Sequence, residues 1–323
     1  MTDINQILVL LDLSGAQKAE FESIYSGASY VYMEPQSVTE EAVKTADIII
    51  GPVPRAMVQK LPKRGGRLKW MQLTYAGSDH MQAPGVFPED AVLTNASGSY
   101  GDAMAEYMLG MLFTIKKNLH ICRDNQNKGL WKSVPSGTLV DGAVTLVIGL
   151  GDIGGAFARR MDALGSYIIG VRRSNTDAAP GVSEMHLPGS IDALLPRADI
   201  VALALPSTPE TRHTLSEARI AALKKDAVII NVGRGTAIDT EALCDALYGN
   251  KIGGAALDVT EPEPLPENHR LWAAPNCLIT PHVSGANDAE KTYEKIVDLC
   301  LHNFRAFVSG GEMRNVVDFE RGY

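Results

Sequence analysis

Three short segments late in the chain carry side chains that could together move a hydride and a proton. Asn231-Val232-Gly233-Arg234-Gly235 offers a cation, Asp258-Val259-Thr260-Glu261-Pro262-Glu263-Pro264 offers carboxylates, and Thr280-Pro281-His282-Val283-Ser284-Gly285 offers an imidazole. Reduction of a carbonyl needs those types: a proton donor near neutral pH, a partner that holds it, and a positive group that polarises the oxygen. Each segment falls at or near the carboxyl end of an expected strand, where open α/β sheets place their ligands.

A fourth segment could supply the cofactor site. Gly149-Leu150-Gly151-Asp152-Ile153-Gly154 follows the apolar run VTLVI and opens the helical pattern AFARRMDAL. Glycines between a strand and a helix allow a tight turn, close approach of the backbone to a pyrophosphate, and packing of the helix on the strand. Arg172 stands 18 positions after Gly154, where an NAD-binding version carries an acid for the ribose hydroxyl. A guanidinium cannot accept from a hydroxyl, but it can clamp a 2'-phosphate. NADP is therefore preferred, with NAD as the second option.

These segments need a scaffold, and the hydrophobic pattern describes one. Short β-branched runs at Ile7 to Leu11, Tyr30 to Met33, Ile48 to Ile50, Leu68 to Leu73 and Val92 to Thr94 alternate with helical stretches, as in βαβ units on a parallel sheet. A long helix is expected from Ala103 to Ile121. A second series then runs through Val144 to Ile148, Tyr167 to Val171, Ile200 to Ala204, Val228 to Asn231, Gly254 to Asp258 and Cys277 to Thr280. Six such strands make a dinucleotide-binding sheet. A last helix, near Asp288 to Phe307, would return to the first domain and make it discontinuous.

Composition excludes other classes. With 323 residues, 45% apolar and 21% charged, the chain is an ordinary globular protein of two domains. Its net charge of -8 offers no basic face for nucleic acid. The first apolar run is short and lacks a basic leader, so it reads as a buried strand, and no stretch reaches the length of a membrane helix. Cys122, Cys244, Cys277 and Cys300 form no paired motif, which fits a reduced, cytoplasmic protein. No metal-ligand cluster is apparent.

The blocks KWMQLTYAGSDHM, MAEYMLGML, LVIGLGDIGGAFARRM, ALPSTPETRHTL, INVGRGTAID, GAALDVTEPEPLP and LITPHVSG stand in one register. Through them nearly the whole chain resembles the D-isomer-specific 2-hydroxyacid dehydrogenases, a group that includes glyoxylate/hydroxypyruvate reductases, D-lactate dehydrogenases and phosphoglycerate dehydrogenase. The resemblance implies an α/β fold of two doubly wound parallel-sheet domains. These are a Rossmann dinucleotide-binding domain at 103–285 and a discontinuous flavodoxin-like substrate domain at 1–102 and 286–323. It further implies a hinge, with crossings at Asp102 to Ala103 and at Ser284 to Asn287, and a homodimer built largely on the long helices of the nucleotide domain.

Carried over by position, the resemblance makes His282 the acid/base, Glu263 its partner, and Arg234 the grip on the substrate carboxylate and carbonyl. A carboxylate beside an imidazole favours the imidazolium, and a planar guanidinium suits a 2-oxo acid as lysine would not. Glu261 is expected to be solvated. Asp258 would meet the nicotinamide carboxamide or simply cap its strand end. Gly149, Gly151, Asp152, Ile153 and Gly154 would hold the phosphates, Arg172, Arg173 and Ser174 the ribose end, and Pro206, Thr211, Val232, Ser284 and Gly285 the rest of NADP. The amides of Ala76 and Gly77, with Tyr75 and Tyr100, would form the substrate pocket.

Two departures bear on the substrate. Tyr100 stands where the family often has asparagine, and Gly51-Pro52-Val53-Pro54-Arg55 lacks the arginine-serine pair of the phosphoglycerate enzymes. The expected activity is reduction of a small 2-oxo acid such as glyoxylate or hydroxypyruvate to the D-2-hydroxy acid. The alternatives are an NAD-dependent D-lactate or phosphoglycerate dehydrogenase and a non-catalytic nicotinamide-sensing corepressor. Formate enzymes usually carry glutamine where Glu263 stands. His80, His120, His186, His213, His269 and His302 are read as structural or surface residues.

Overall fold

The computed structural model describes residues 3–83, 85–285 and 289–320. The chain divides into two compact units, Met1–Ser99 with Asn287–Tyr323, and Tyr100–Ala286. Of the expected second crossing, Ala286 and Asn287 lie outside the described residues, as does Asp288, the expected start of the last helix.

The first unit is built on five parallel strands: β1 (Gln6–Val9), β2 (Ser29–Tyr32), β3 (Ile48–Ile50), β4 (Trp70–Gln72) and β5 (Val92–Thr94). Their order, β2-β1-β3-β4-β5, is that of flavodoxin. Strands covered on both faces read as continuous apolar runs, and Ile48, Ile49 and Ile50 are all fully buried. The helix Gly15–Ile24 starts at a capping box formed by Ser14 and Gln17. The helix Glu290–Ser309 joins this unit through a buried network: Gln72 Oε1 accepts from Thr94 Oγ1 at 2.7 Å and from Asn303 Nδ2 at 2.8 Å.

The second unit holds seven parallel strands: β6 (Val144–Ile148), β7 (Tyr167–Val171), β8 (Glu184–His186), β9 (Ile200–Leu203), β10 (Val228–Asn231), β11 (Gly254–Leu257) and β12 (Cys277–Ile279). Their order is β12-β11-β10-β9-β6-β7-β8, a doubly wound Rossmann sheet. Chain order reverses between β6 and β9. The carboxyl ends of these two strands therefore flank the crevice where such sheets bind ligands.

Two expectations need correction. The sheet has seven strands because β8, a three-residue edge strand of Glu184, Met185 and His186, carries no apolar run. The long helix expected from Ala103 to Ile121 is two helices, Gly101–Lys116 and Leu119–Asn127, broken where Asn118 takes a left-handed φ of 56°. Asparagine tolerates that conformation better than most residues, and a helix cannot continue through it.

Candidate active site

The carboxyl ends of β10, β11 and β12 deliver the three expected groups. After β12, the chain turns sharply at His282, whose φ is 55°. A left-handed histidine is strained and needs its surroundings to hold it. Asp258, just past β11, does so. Its backbone carbonyl accepts from the His282 amide at 2.9 Å. Its buried carboxylate accepts from Thr280 Oγ1 at 2.6 Å, from the Val283 amide at 2.9 Å and from the Ser284 amide at 3.0 Å. Asp258 is thus a strand-end cap that fixes the histidine turn.

His282 Nδ1 lies 2.6 Å from Glu263 Oε1, and both side chains are about half exposed, at 48% and 42%. An ionised carboxylate only accepts, so the proton sits on Nδ1, and Nε2 is the nitrogen left to face another molecule. Arg234 rides on a turn held by fully buried Asn231, whose Nδ2 donates to the Arg234 carbonyl at 2.9 Å and whose Oδ1 accepts from the Gly233 amide at 3.1 Å. The turn needs glycine after the arginine. A Cβ on Gly235 would lie 2.0 Å from the carbonyl carbon and oxygen of Thr260, so the arginine turn presses directly on the segment carrying the glutamates. Arg234 Nη1 donates to the Gly233 carbonyl at 2.8 Å.

Glu261 is not the solvated acid expected from its position. Its Oε1 lies 2.7 Å from Arg212 Nη1 and its Oε2 lies 3.6 Å from His213 Nε2, with the side chain 30% exposed. The partners come from the loop after β9, some fifty positions away in sequence, which no local pattern announces.

The glycine segment after β6 forms a cradle. Gly149 has a φ of 97°, and a Cβ there would lie 2.4 Å from the Ala204 carbonyl at the end of β9. A Cβ on Gly154 would lie 2.0 Å from the Gly149 carbonyl, whereas one on Gly151 would meet nothing within 4 Å. Gly151 caps the helix Asp152–Ala163 without a side-chain bond, so the first amides of a helix face open space. Such an end suits a diphosphate. Ile153 is half-buried. The Asp152 carboxylate accepts from the Gly101 amide at 2.7 Å, so this acid ties the cradle to the helix Gly101–Lys116. Arg160 adds a second tie, to Asp102 at 3.1 Å.

At the end of β7, Arg172 donates from Nε to the Asn175 carbonyl at 3.2 Å and from Nη2 to the Asp177 carbonyl at 2.9 Å. Arg173 and Ser174 are exposed beside it. Thr211 Oγ1 donates to the Pro206 carbonyl at 2.7 Å, shaping the loop after β9. Val232 is buried and Gly285 half-buried. Ser284 Oγ is buried without a hydrogen-bond partner among the described residues, as a group reserved for a ligand would be. The residues present fit a nicotinamide dinucleotide.

The expected substrate residues fall in two places. Tyr75, Ala76 and Gly77 follow β4 in the first unit. The Tyr75 hydroxyl is 3.0 Å from His80 Nε2, and burial pushes its pKa up to about 12. Tyr100 belongs to the second unit and is buried at the start of the helix Gly101–Lys116. Among the described residues no group of three or more ligating side chains could hold a metal ion, and no helix is long and apolar enough to cross a membrane.

A Rossmann sheet with a glycine cradle, and with a paired imidazole and a guanidinium on neighbouring strand ends, defines a dinucleotide-dependent oxidoreductase. The family model for the D-isomer specific 2-hydroxyacid dehydrogenase, NAD binding domain, matches residues 109–284. The chain belongs to that family and is an oxidoreductase of its class. A glyoxylate reductase of Thermofilum pendens is 32% identical over 75% of this chain and 73% of its own. A D-isomer specific 2-hydroxyacid dehydrogenase family protein from Aeromonas salmonicida has a TM-score of 0.85 at 30% identity, covering 98% of this chain and all of its own. An NADPH-dependent glyoxylate/hydroxypyruvate reductase from Sinorhizobium meliloti, solved with NADP and sulfate, has a TM-score of 0.78 at 25% identity, covering 99% of this chain and all of its own.

Proposed function

We propose that the protein is an NADPH-preferring reductase of small 2-oxo acids of the glyoxylate and hydroxypyruvate type, with the D-2-hydroxy acid as product. The observation that carries this reading is the 2.6 Å pairing of His282, after β12, with Glu263, after β11, next to the β10 end that bears Arg234. A reduced nicotinamide, when bound, supplies the hydride to the carbonyl carbon. His282 donates a proton from Nε2 to the oxygen as it gains charge, while Glu263 accepts from Nδ1 and holds the ring in that orientation. Arg234 orients the substrate carboxylate and polarises its carbonyl. By their positions in the family blocks, the amides of Ala76 and Gly77 and the side chains of Tyr75 and Tyr100 are assigned to the substrate carboxylate, and Gly149, Gly151, Gly154, Ile153, Pro206, Thr211, Val232, Ser284 and Gly285 to the cofactor.

Relatives support this choice of substrate and also name its rival. The Thermofilum protein is a glyoxylate reductase, while a D-3-phosphoglycerate dehydrogenase of Methanocaldococcus jannaschii is 30% identical over 86% of this chain but only 53% of its own. The test is a panel of glyoxylate, hydroxypyruvate, pyruvate and phosphohydroxypyruvate, assayed with both cofactors. Loss of NADPH absorbance with glyoxylate or hydroxypyruvate is expected. Bound NADPH with no turnover of any acid would overturn the enzyme assignment in favour of a sensor.

The preference for NADPH rests on Arg172 with Arg173 and Ser174. Exchanging Arg172 for aspartate is expected to move the ratio of kcat/KM values by about 10-fold or more towards NADH, the worth of a charge-assisted pair. An unaltered ratio would mean that Arg172 does not meet the phosphate.

We also infer a homodimer in the reducing cytoplasm. Leu119, Leu130, Trp131 and Leu139 are large exposed apolar side chains on and just after the helices of the second unit, a surface suited to a second copy. Trp131→Ser is expected to convert the dimer to monomer in sedimentation velocity; an unchanged dimer would place the interface elsewhere. Burial pushes the Cys277 and Cys300 thiols up to about 12 and Cys244 up to about 11, which keeps them protonated and inert.

A further inference from the structure

Glu263 is half exposed and belongs to a surface loop, yet it must stay within hydrogen-bond reach of an imidazole. Nothing intrinsic to an exposed carboxylate keeps it there, since long side chains on loops give up several rotamers to hold one pose. Two residues upstream the loop is pinned. The Glu261 carbonyl accepts from Thr240 Oγ1 at 2.9 Å, and its carboxylate pairs with Arg212 at 2.7 Å, with His213 Nε2 on the other oxygen at 3.6 Å. Thr260 Oγ1 donates to the Pro262 carbonyl at 2.9 Å, closing the loop between the pin and Glu263.

The far side of the pin is equally tied. His213 donates its amide to the Thr236 carbonyl at 2.8 Å, Leu215 donates to the Ala237 carbonyl at 2.9 Å, and Ser207 Oγ meets Thr236 Oγ1 at 3.2 Å. Thr236 and Ala237 directly follow the turn that carries Arg234, and Gly235 presses on Thr260. The loop 207–215 thus bridges the turn bearing the guanidinium and the loop bearing the carboxylate.

We propose that Arg212 and Glu261 form a positioning pair, whose ion pair locks the loop so that Glu263 stays against His282. The inference rests on the reductase reading above. Neither residue touches the imidazole, so their effect passes through Glu263. A misplacement of about 1 Å at a reacting group can cost as much as 100-fold in rate, and loosening one anchor of a partly tethered loop should cost a fraction of that.

The test compares Arg212→Ala, Glu261→Ala, the double variant and Arg212→Lys in the full-length protein. Each alanine variant should lower kcat about 5-fold to 10-fold while KM for the oxo acid, Kd for NADPH and Tm hold. The double variant should be no worse than either single one, and lysine should recover most of the loss. Unchanged kcat in both single variants would overturn the proposal, and so would a fall in kcat and Tm together with a rise in KM and Kd, which would mark a general structural role. A readout free of turnover is the His282 ring in nitrogen-proton correlation spectra, where the Nδ1 proton bonded to Glu263 should be lost to exchange in Arg212→Ala. If the wild type reduces no acid at all, the reductase reading fails, and this spectrum alone decides the pair: an unchanged Nδ1 signal in the variant overturns it.

Discussion

Replacing His282 with alanine is expected to lower kcat for 2-oxo acid reduction by about 100-fold or more, the usual worth of a positioned acid. The geometry explains why no neighbour would substitute. Glu263 is bound to Nδ1, so its carboxylate lies across the ring from the Nε2 position that faces the substrate. Asp258 spends its carboxylate on the backbone of the histidine turn. Arg234 brings a guanidinium, a group that stabilises negative charge and is no general acid. Cofactor affinity should change little, because the cradle after β6 is a separate part of the sheet edge. Steady-state kinetics with a parallel NADPH titration check this, and an unchanged kcat removes His282 from the mechanism.

Exchanging Asp258 for alanine should produce the second largest effect, on stability as well as on rate. The substitution strips acceptors from Thr280 Oγ1 and from the amides of Val283 and Ser284, and leaves the strained turn at His282 held on this side only by the backbone carbonyl of residue 258. An orphaned buried donor costs about 1–3 kcal/mol, so a loss of about 2–4 kcal/mol in urea unfolding is expected, with kcat down at least about 10-fold. Asp258→Asn keeps one acceptor and should fall between the two. A variant as stable as the wild type would show that the carboxylate serves the cofactor and not the turn.

Legibility in the sequence followed the range of the interactions. Ile48–Ile50, Val92–Thr94, Val144–Ile148, Tyr167–Val171 and Val228–Asn231 lie where the apolar runs place strands, because a strand buried on both faces must be apolar throughout. Glu184–His186 carries no such signal because a short, half-buried edge strand has no such requirement. The helix break at Asn118 was equally silent, since asparagine is common inside and outside helices. His282, Glu263 and Arg234 are marked by their motif context, and the first two lie 2.6 Å apart. Asn231 and Thr280 could have been suspected from polar types at strand ends. Arg212 could not, because its bond to Glu261 spans 49 positions and leaves no periodicity.

Transfer of label from cofactor to product tests the central claim most directly. With NADPH carrying deuterium on the transferred position of C4 and hydroxypyruvate as acceptor, the protein should yield D-glycerate deuterated at C2, and His282→Ala should yield it at least about 100-fold more slowly. Product free of deuterium, or equal rates of labelling by the two proteins, would contradict the account.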